Sequence, residues 1–163
     1  MRSIQSIPAK IFNRRELEAH VKRWRLKNNR IVFTNGVFDI IHEGHISSLS
    51  EAASYGDVLI VAVNSDASVK RLKGAARPVN GEQARALILA SMVVTDAVVI
   101  FEEDTPLELI KALKPDVLVK GGDYTIEQIA GAKEVLENGG EVKRGTIVPG
   151  ISTTTIIEKL KIK

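Results

Sequence analysis

Short apolar runs recur along the chain at intervals that suit strands alternating with helices. Ile31-Val32-Phe33, Val58-Leu59-Ile60-Val61-Ala62-Val63, Ala97-Val98-Val99-Ile100-Phe101 and Val117-Leu118-Val119 are rich in β-branched residues and too short for helices. The unbroken run at 58–63 predicts a central parallel strand covered on both faces. A short strand is also expected at residues 141–147, giving five.

Helical spacing fills the gaps. Leu17, Val21 and Trp24 form one stripe after Asn13, a natural N-cap, so a surface helix is expected over 14–25. Ile46, Leu49, Ala52 and Ala53 mark a second helix that stops near Gly56. Residues 82–94 read as a helix with Leu87, Ile88, Ser91 and Met92 inward. Thr105 suits the N-cap of a helix over 106–113, because proline is tolerated in a first turn. Residues 126–138 predict another helix, ended by Gly139-Gly140, and Ile156, Ile157 and Leu160 mark the last. Residues 70–80 read as a polar, basic loop. The pattern specifies the α/β class, as a Rossmann-like doubly wound parallel sheet of about five strands. Ligands gather at the carboxyl ends of such strands, near the switch in strand order.

Composition narrows this picture. The chain has 163 residues, 44% of them hydrophobic, enough for one globular domain with a real core. It has no cysteine, which excludes disulfides and thiolate metal sites and suits the cytosol. Residues 1–8 lack the apolar core of a signal peptide, and no run approaches the ~20 apolar residues of a membrane span. A cytoplasmic setting is therefore expected. The net charge of +3 is uneven: residues 1–30 carry nine Lys/Arg against two Asp/Glu. That segment reads as a basic N-terminal helical extension with solvated charges, and attraction of anionic ligands stays open.

The candidate chemistry follows the first strand. Thr34-Asn35-Gly36-Val37-Phe38-Asp39 leads into Ile40-Ile41-His42-Glu43-Gly44-His45, at the N-terminal end of the next helix. Unpaired N–H groups and the helix dipole make such a turn a ready anion site, to which two imidazoles add donors. Against this, His42 reads as a local cap and His45 as a surface residue. Two histidines and two glycines on one turn favour phosphate. No cysteine nucleophile or serine–histidine–acid pattern suggests covalent chemistry. No Gly-x-Gly-x-x-Gly follows the first strand, which argues against a dinucleotide-binding dehydrogenase.

Gly36-Val37-Phe38-Asp39 with His42-Glu43-Gly44-His45 resembles the signature of the cytidylyltransferase-like nucleotidyltransferases. Asn64-Ser65-Asp66-Ala67-Ser68, Lys70-Arg71-Leu72-Lys73-Gly74, Arg77-Pro78-Val79-Asn80, Phe101-Glu102-Glu103-Asp104-Thr105-Pro106 and Val119-Lys120-Gly121-Gly122-Asp123-Tyr124 resemble one branch, the bacterial heptose 1-phosphate adenylyltransferases. The likeness runs from about residue 31 to 160, which implies a nucleotidyltransferase domain over 31–163. It implies that His42 and His45 bond the triphosphate and stabilise the transition state, with Lys73 as a third catalytic group. A nucleotide site is implied at Asn35, Gly36, Val37, Phe38, His42, Gly44, His45, Lys70, Arg85, Gly121, Ser152, Thr153 and Thr154. Asp39, Lys120, Gly122 and Asp123 are implied for the acceptor.

Several of these residues have plainer roles. Phe38 suits core packing, Asp39 orienting the turn, Arg85 a salt bridge, Asp123 a tight turn, and Ser152 to Thr154 helix capping. The resemblance implies ATP and a sugar 1-phosphate as partners, no nucleic acid or membrane partner, and a homodimer. Mg²⁺ or another divalent cation is expected with ATP, because the triphosphate's charge must be partly neutralised.

Related glycerol- and choline-phosphate cytidylyltransferases carry two arginines at places occupied here by Val93 and Ile147. That favours the heptose branch over a CTP enzyme acting on a polyol phosphate; a GTP-dependent heptose enzyme is the other alternative. The kinase half of the bifunctional members has no counterpart in this sequence, so a stand-alone transferase is expected. A non-catalytic nucleotide-sensing or nucleic-acid-binding module is a reading of a different class, and the intact histidine pair argues against it.

Overall fold

The computed structural model describes residues 4–122, 124–146 and 152–161. Its strands are β1 (Ile11–Phe12), β2 (Ile31–Gly36), β3 (Val58–Asn64), β4 (Ala97–Phe101), β5 (Val117–Gly121) and β6 (Glu141–Gly145). The helices are α1 (Arg14–Leu26), α2 (Glu43–Ala53), α3 (Asp66–Lys73), α4 (Glu82–Ser91), α5 (Leu107–Leu113), α6 (Ala132–Glu137) and α7 (Thr153–Lys161). All six strands pair in parallel, in the order β1-β4-β3-β2-β5-β6. The order reverses between β2 and β5, so the carboxyl ends of those two strands bound the crevice.

Side-chain alternation assigns the two faces. In β3, Val58, Ile60 and Ala62 join a core built with Leu17 and Val21 of α1, three α5 residues and Val135 of α6. Leu59, Val61 and Val63 face the other way, against Leu49 of α2 and Ala86 and Leu89 of α4. Every residue of β3 is buried, as its unbroken apolar run requires. Helix α1 begins as expected: Asn13 accepts from the Glu16 N–H at 2.9 Å, and Glu16 accepts from the Asn13 N–H at 3.0 Å.

Five sequence expectations shift, the smallest being that α5 starts after Pro106, which takes the N-cap place expected of Thr105. The sheet gains a sixth strand, because Ile11 and Phe12 pair with Val98 and Val99; two residues are too few to show a period. Lys70, Arg71 and Lys73 lie on α3, whose N-cap Ser65 accepts from the Ser68 N–H, and not in a loop. Helix α4 turns Arg85, Ala86, Leu89 and Ala90 inward and leaves Leu87 and Ile88 exposed. The alanines let it lie close on the sheet, and Arg85 finds buried acceptors. The helix expected at 126–138 is broken into a 3-10 turn, Ile126–Gln128, and α6, with Gly131 between them at φ +86°. Asp123, Ile147, Gly150, Ile151 and the Leu160 side chain lie outside the described residues.

One device repeats at the amino edge of the sheet. Asp57, Asp96 and Asp116 each stand one residue before a strand. Each donates its N–H to a carbonyl at the entry of the adjacent strand and takes that strand's N–H on its carboxylate. The pairs are Asp57 with Arg30 (2.8 and 2.7 Å), Asp96 with Leu59 (3.1 and 2.8 Å) and Asp116 with Ile31 (2.9 and 2.7 Å). These locks set the registers of β2 on β3, β3 on β4 and β2 on β5. The exposed ion pairs Arg14–Glu18 and Lys111–Glu108 stand in solvent and contribute little to stability.

Asp96→Ala and Asp116→Ala should each cost about 1–3 kcal/mol, because the Leu59 or Ile31 N–H is left without its acceptor. Urea unfolding checks this: midpoints equal to the wild type's would remove the locks from the account of register.

Candidate active site

The turn between β2 and α2 presents the two histidines. His42 caps α2 with extended backbone, and the His45 N–H donates to the His42 carbonyl at 2.9 Å. Three residues apart on one face, their rings stack with centroids 3.9 Å apart and planes at 27°. Phe38 meets His45 edge-on at 5.3 Å. It sits at φ +49°, in the left-handed region that bulky side chains avoid. It is buried in the core, as its plainer reading expected, and it also lines the cleft.

The cleft has two lobes. The first, about 240 Å³, is bounded by Gly44, His45 and Ser48 of α2, by Val119 and Lys120 of β5, and by Gly145 and Thr146. The second, about 370 Å³, is more polar and takes in Asp39, Asn64, Lys73, Arg77, Asp104, Tyr124 and Thr153. Asn35, Gly36, Val37, Phe38, His45, Lys120 and Gly121 border both. Gly122 holds φ +114°, and a Cβ there would lie 2.9 Å from the Tyr124 ring. Any side chain would therefore strain the backbone and displace Tyr124.

The cleft is electrostatically poised for an anion. Burial is the main cause that lowers the His45 pKa to about 4, with His42 and the Lys73 ammonium adding to it. Burial also lowers His42. Both imidazoles are therefore neutral at neutral pH, and neither Nδ1 makes a hydrogen bond among the described residues. Lys120 is depressed by burial and then by Lys73. Its Nζ donates to the Asn35 carbonyl and Oδ1 at 3.3 and 3.4 Å and stands 5.8 Å from the Tyr124 ring centre.

Two buried residues brace the turn. Asp39, 2% exposed, accepts from the N–H groups of Val79 and Asn80 and from Arg77 Nε at 2.7 Å. Burial pushes its pKa up, but the Asn80 and Val79 N–H groups and Arg77 outweigh that and hold it below the usual range. Asn80 Nδ2 donates back to the Asp39 carbonyl at 2.7 Å. Arg85, with no exposure, donates to the carbonyls of Asn80, Val37 and Asn64 and to Asp66 Oδ1, all within 2.9 Å. It lines neither lobe, so of its two expected roles the structure shows the salt bridge.

Residues 33–159 match the model of a family described as cytidylyltransferase-like. The chain belongs to the cytidylyltransferase-like family. It is 56% identical over 158 residues to the bifunctional protein HldE of Koribacter versatilis, covering 95% of this chain and 32% of that protein. The chain thus spans about a third of the length of the curated relatives it matches. Among solved structures it resembles a lipopolysaccharide core biosynthesis protein from Thermoplasma volcanium: TM-score 0.63, 27% identity, 74% of this chain and 98% of that one. A pantoate-beta-alanine ligase from Francisella tularensis, complexed with β,γ-ATP and β-alanine, shares the fold at TM-score 0.60. That match is 18% identical and covers 93% of this chain and 77% of that one.

The structure brings most of the family's motif residues to one cleft: Asn35 to Phe38, His42, Gly44, His45, Lys73, Lys120, Gly121 and Thr153. It does not bring Lys70, which is exposed one turn back on α3, or Thr154, which points to solvent. Ser152 accepts from the Thr155 N–H, as a cap does, and Thr153 Oγ1 donates to the Ile40 carbonyl at 3.4 Å. Asp39 borders the second lobe but spends its carboxylate on the brace. Sequence reasoning passed over Arg77 and Glu51 as individual residues. Glu51 takes the Thr146 N–H at 2.7 Å and Tyr55 Oη at 2.9 Å, fixing the chain at the rim of the first lobe. No sequence signal marks it, because its partner is a backbone group 95 residues away.

Among the described residues no cluster of three or more His, Asp or Glu suits a metal ion. The cleft's imidazole, ammonium and amide donors fit phosphate oxygens. Within the described residues, no helix is long and apolar enough to cross a membrane.

The depressed His45 pKa sets a pH dependence. Below about 6.5 the unfolded chain binds a proton there that the folded chain refuses until about pH 4. The stability contributed by neutral His45 is complete above pH 6.5 and is lost as pH falls through that window. Wild-type melting midpoints should therefore fall more between pH 7 and 4.5 than those of His45→Gln; equal slopes would count against a neutral, buried His45.

Proposed function

We propose that this chain transfers an adenylyl group from ATP to D-glycero-D-manno-heptose 1-phosphate, releasing pyrophosphate and forming ADP-heptose. The observation that carries this reading is the two-lobed cleft with His45 and Lys120 on its shared wall. Two substrates can then meet across one set of phosphate donors. The identity to proteins named bifunctional protein HldE and the likeness to a lipopolysaccharide core biosynthesis protein support the sugar and a role in surface glycan synthesis. The catalytic and binding residues lie within 31–163, and the chain acts in the cytoplasm as a homodimer.

The acceptor's phosphate oxygen is already an anion, so no general base is needed. It attacks the α-phosphorus, the bond to the β-phosphate's bridging oxygen breaks, and that electron pair leaves with pyrophosphate. The chain has to hold two anions in line and stabilise the charge that moves onto the leaving group. Neutral His42 and His45 each donate one N–H without requiring a compensating anion. Lys73, at the exposed end of α3, and Lys120 supply positive charge to the second lobe. The divalent cation enters with ATP as part of the substrate.

His42→Ala and His45→Ala should each lower turnover by roughly 10² or more, the scale of one lost transition-state donor, with circular dichroism unchanged. Lys73→Ala should raise the Michaelis constant for ATP and leave the melting temperature nearly unchanged, because its side chain is exposed. The substrate is tested by competing ATP, CTP and GTP for the heptose phosphate, alongside CTP with glycerol 3-phosphate, read by pyrophosphate release. CDP-glycerol formation without heptose transfer would sink the proposal; a GTP preference would correct only its nucleotide.

A further inference from the structure

The central strands carry apolar residues inward on the α1/α5/α6 face: Ile31 and Phe33 on β2, Ile60 and Ala62 on β3, Leu118 on β5. By strand alternation the next residue on that face is Asn35, Asn64 or Lys120. Three adjacent strands thus switch to polar side chains at their carboxyl tips, and all three residues border the second lobe. Thr34 pairs with Val119, which places Asn35 beside Lys120. Asn64 stands one strand over and two residues nearer the rim, since Asn35 pairs with Ala62.

The hydrogen-bond network fixes how each amide points. Ser68 Oγ donates to the Glu103 carbonyl at 3.0 Å, so toward Asn64 it acts as an acceptor and takes Nδ2 at 3.0 Å. Asn64 Oδ1 then takes part in none of the hydrogen bonds among the described residues, in a residue only 4% exposed that lines the second lobe. Lys120 can only donate, so Asn35 turns Oδ1 to it and keeps Nδ2 free. The floor offers an oriented acceptor at Asn64 and oriented donors at Asn35 and Lys120. A phosphate would use only the donors. An oriented acceptor at the lobe wall calls for a donor that a phosphate lacks, such as a hydroxyl.

We infer that Asn64, held by Ser68 and flanked by Asn35 and Lys120, is a specificity-determining residue that accepts a hydrogen bond from a hydroxyl of a polyhydroxylated sugar phosphate. This rests on the transferase reading above and deepens it. A site built to bond a hydroxyl rejects the analogue lacking it, because the oriented acceptor then loses its partner in the closed complex. Ser68 is a positioning residue, acting through Asn64.

The test measures kcat/KM at saturating ATP for the heptose 1-phosphate and its monodeoxy analogues. For the wild type, loss of one particular hydroxyl should cost about tenfold or more. Asn64→Leu should lose a similar factor on the intact substrate, show no further penalty on that analogue, and keep the Michaelis constant for ATP within about twofold of wild type. Ser68→Ala, which frees the amide to turn, should narrow the same ratio. This ratio compares two substrates on the same folded molecules, so partial unfolding of either variant leaves it readable. An undiminished penalty in both variants, or an equal rise in the Michaelis constants for ATP and sugar, would overturn the role of Asn64. A wild-type chain that transfers to no sugar phosphate overturns the transferase reading as well.

Discussion

A guanidinium with no exposure to water lies behind the cleft, and the local architecture is arranged around satisfying it. Placing an isolated charge there would cost several kcal/mol. Arg85 avoids that cost because the ends of β2 and β3, the 80–81 corner and the start of α3 all direct acceptors at it. Asp39 does the reverse, gathering N–H groups and Arg77 around a buried carboxylate. Together they join the histidine turn to residues 77–80. Phe38 is thereby held at a backbone angle it would not choose, and its ring is pressed edge-on to His45.

The imidazole pair shows why that rigidity matters chemically. Stacked and largely shielded, with a lysine nearby, the rings refuse protons that free histidine would take. Rigid neutral donors suit an anion whose charge shifts during reaction, because they need not reorganise as it moves. The positive charge is carried by Lys73, at the exposed end of α3, and by the part-buried Lys120 at the tip of β5, both lining the second lobe.

Much of the fold was legible because period and burial coincide. The run at 58–63 could only be a doubly covered strand, and the Asn13 cap and Leu17/Val21 stripe wrote α1 directly. The histidine turn was equally plain, since strand, glycine and helix start stand in one line. What escaped shares a cause. Arg85 has mostly carbonyl acceptors, and every residue type has a carbonyl, so the sequence left it between phosphate and salt bridge. The α4 face was misjudged for the same reason: a face chosen by a buried arginine and two alanines carries little apolar signal. Asp57, Asp96 and Asp116 are visible as aspartates before strands, yet their meaning depends on which strands become neighbours. Asn64 stood in a motif of the resemblance with no role of its own, because only its neighbour Ser68 in the fold orients its amide.

The sixth strand bears on where the chain can be divided. The change in charge at residue 30 suggests a natural cut, but β1 covers the outer edge of β4, and Leu17 and Val21 share their core with β2 and β3. Cutting there would bare unpaired N–H and C=O groups along Val98 and Val99, beside an uncovered apolar face. An open, flat strand of that kind is a template for pairing with a second chain. The basic opening segment therefore also covers the free edge of β4, a duty that its charge does not reveal.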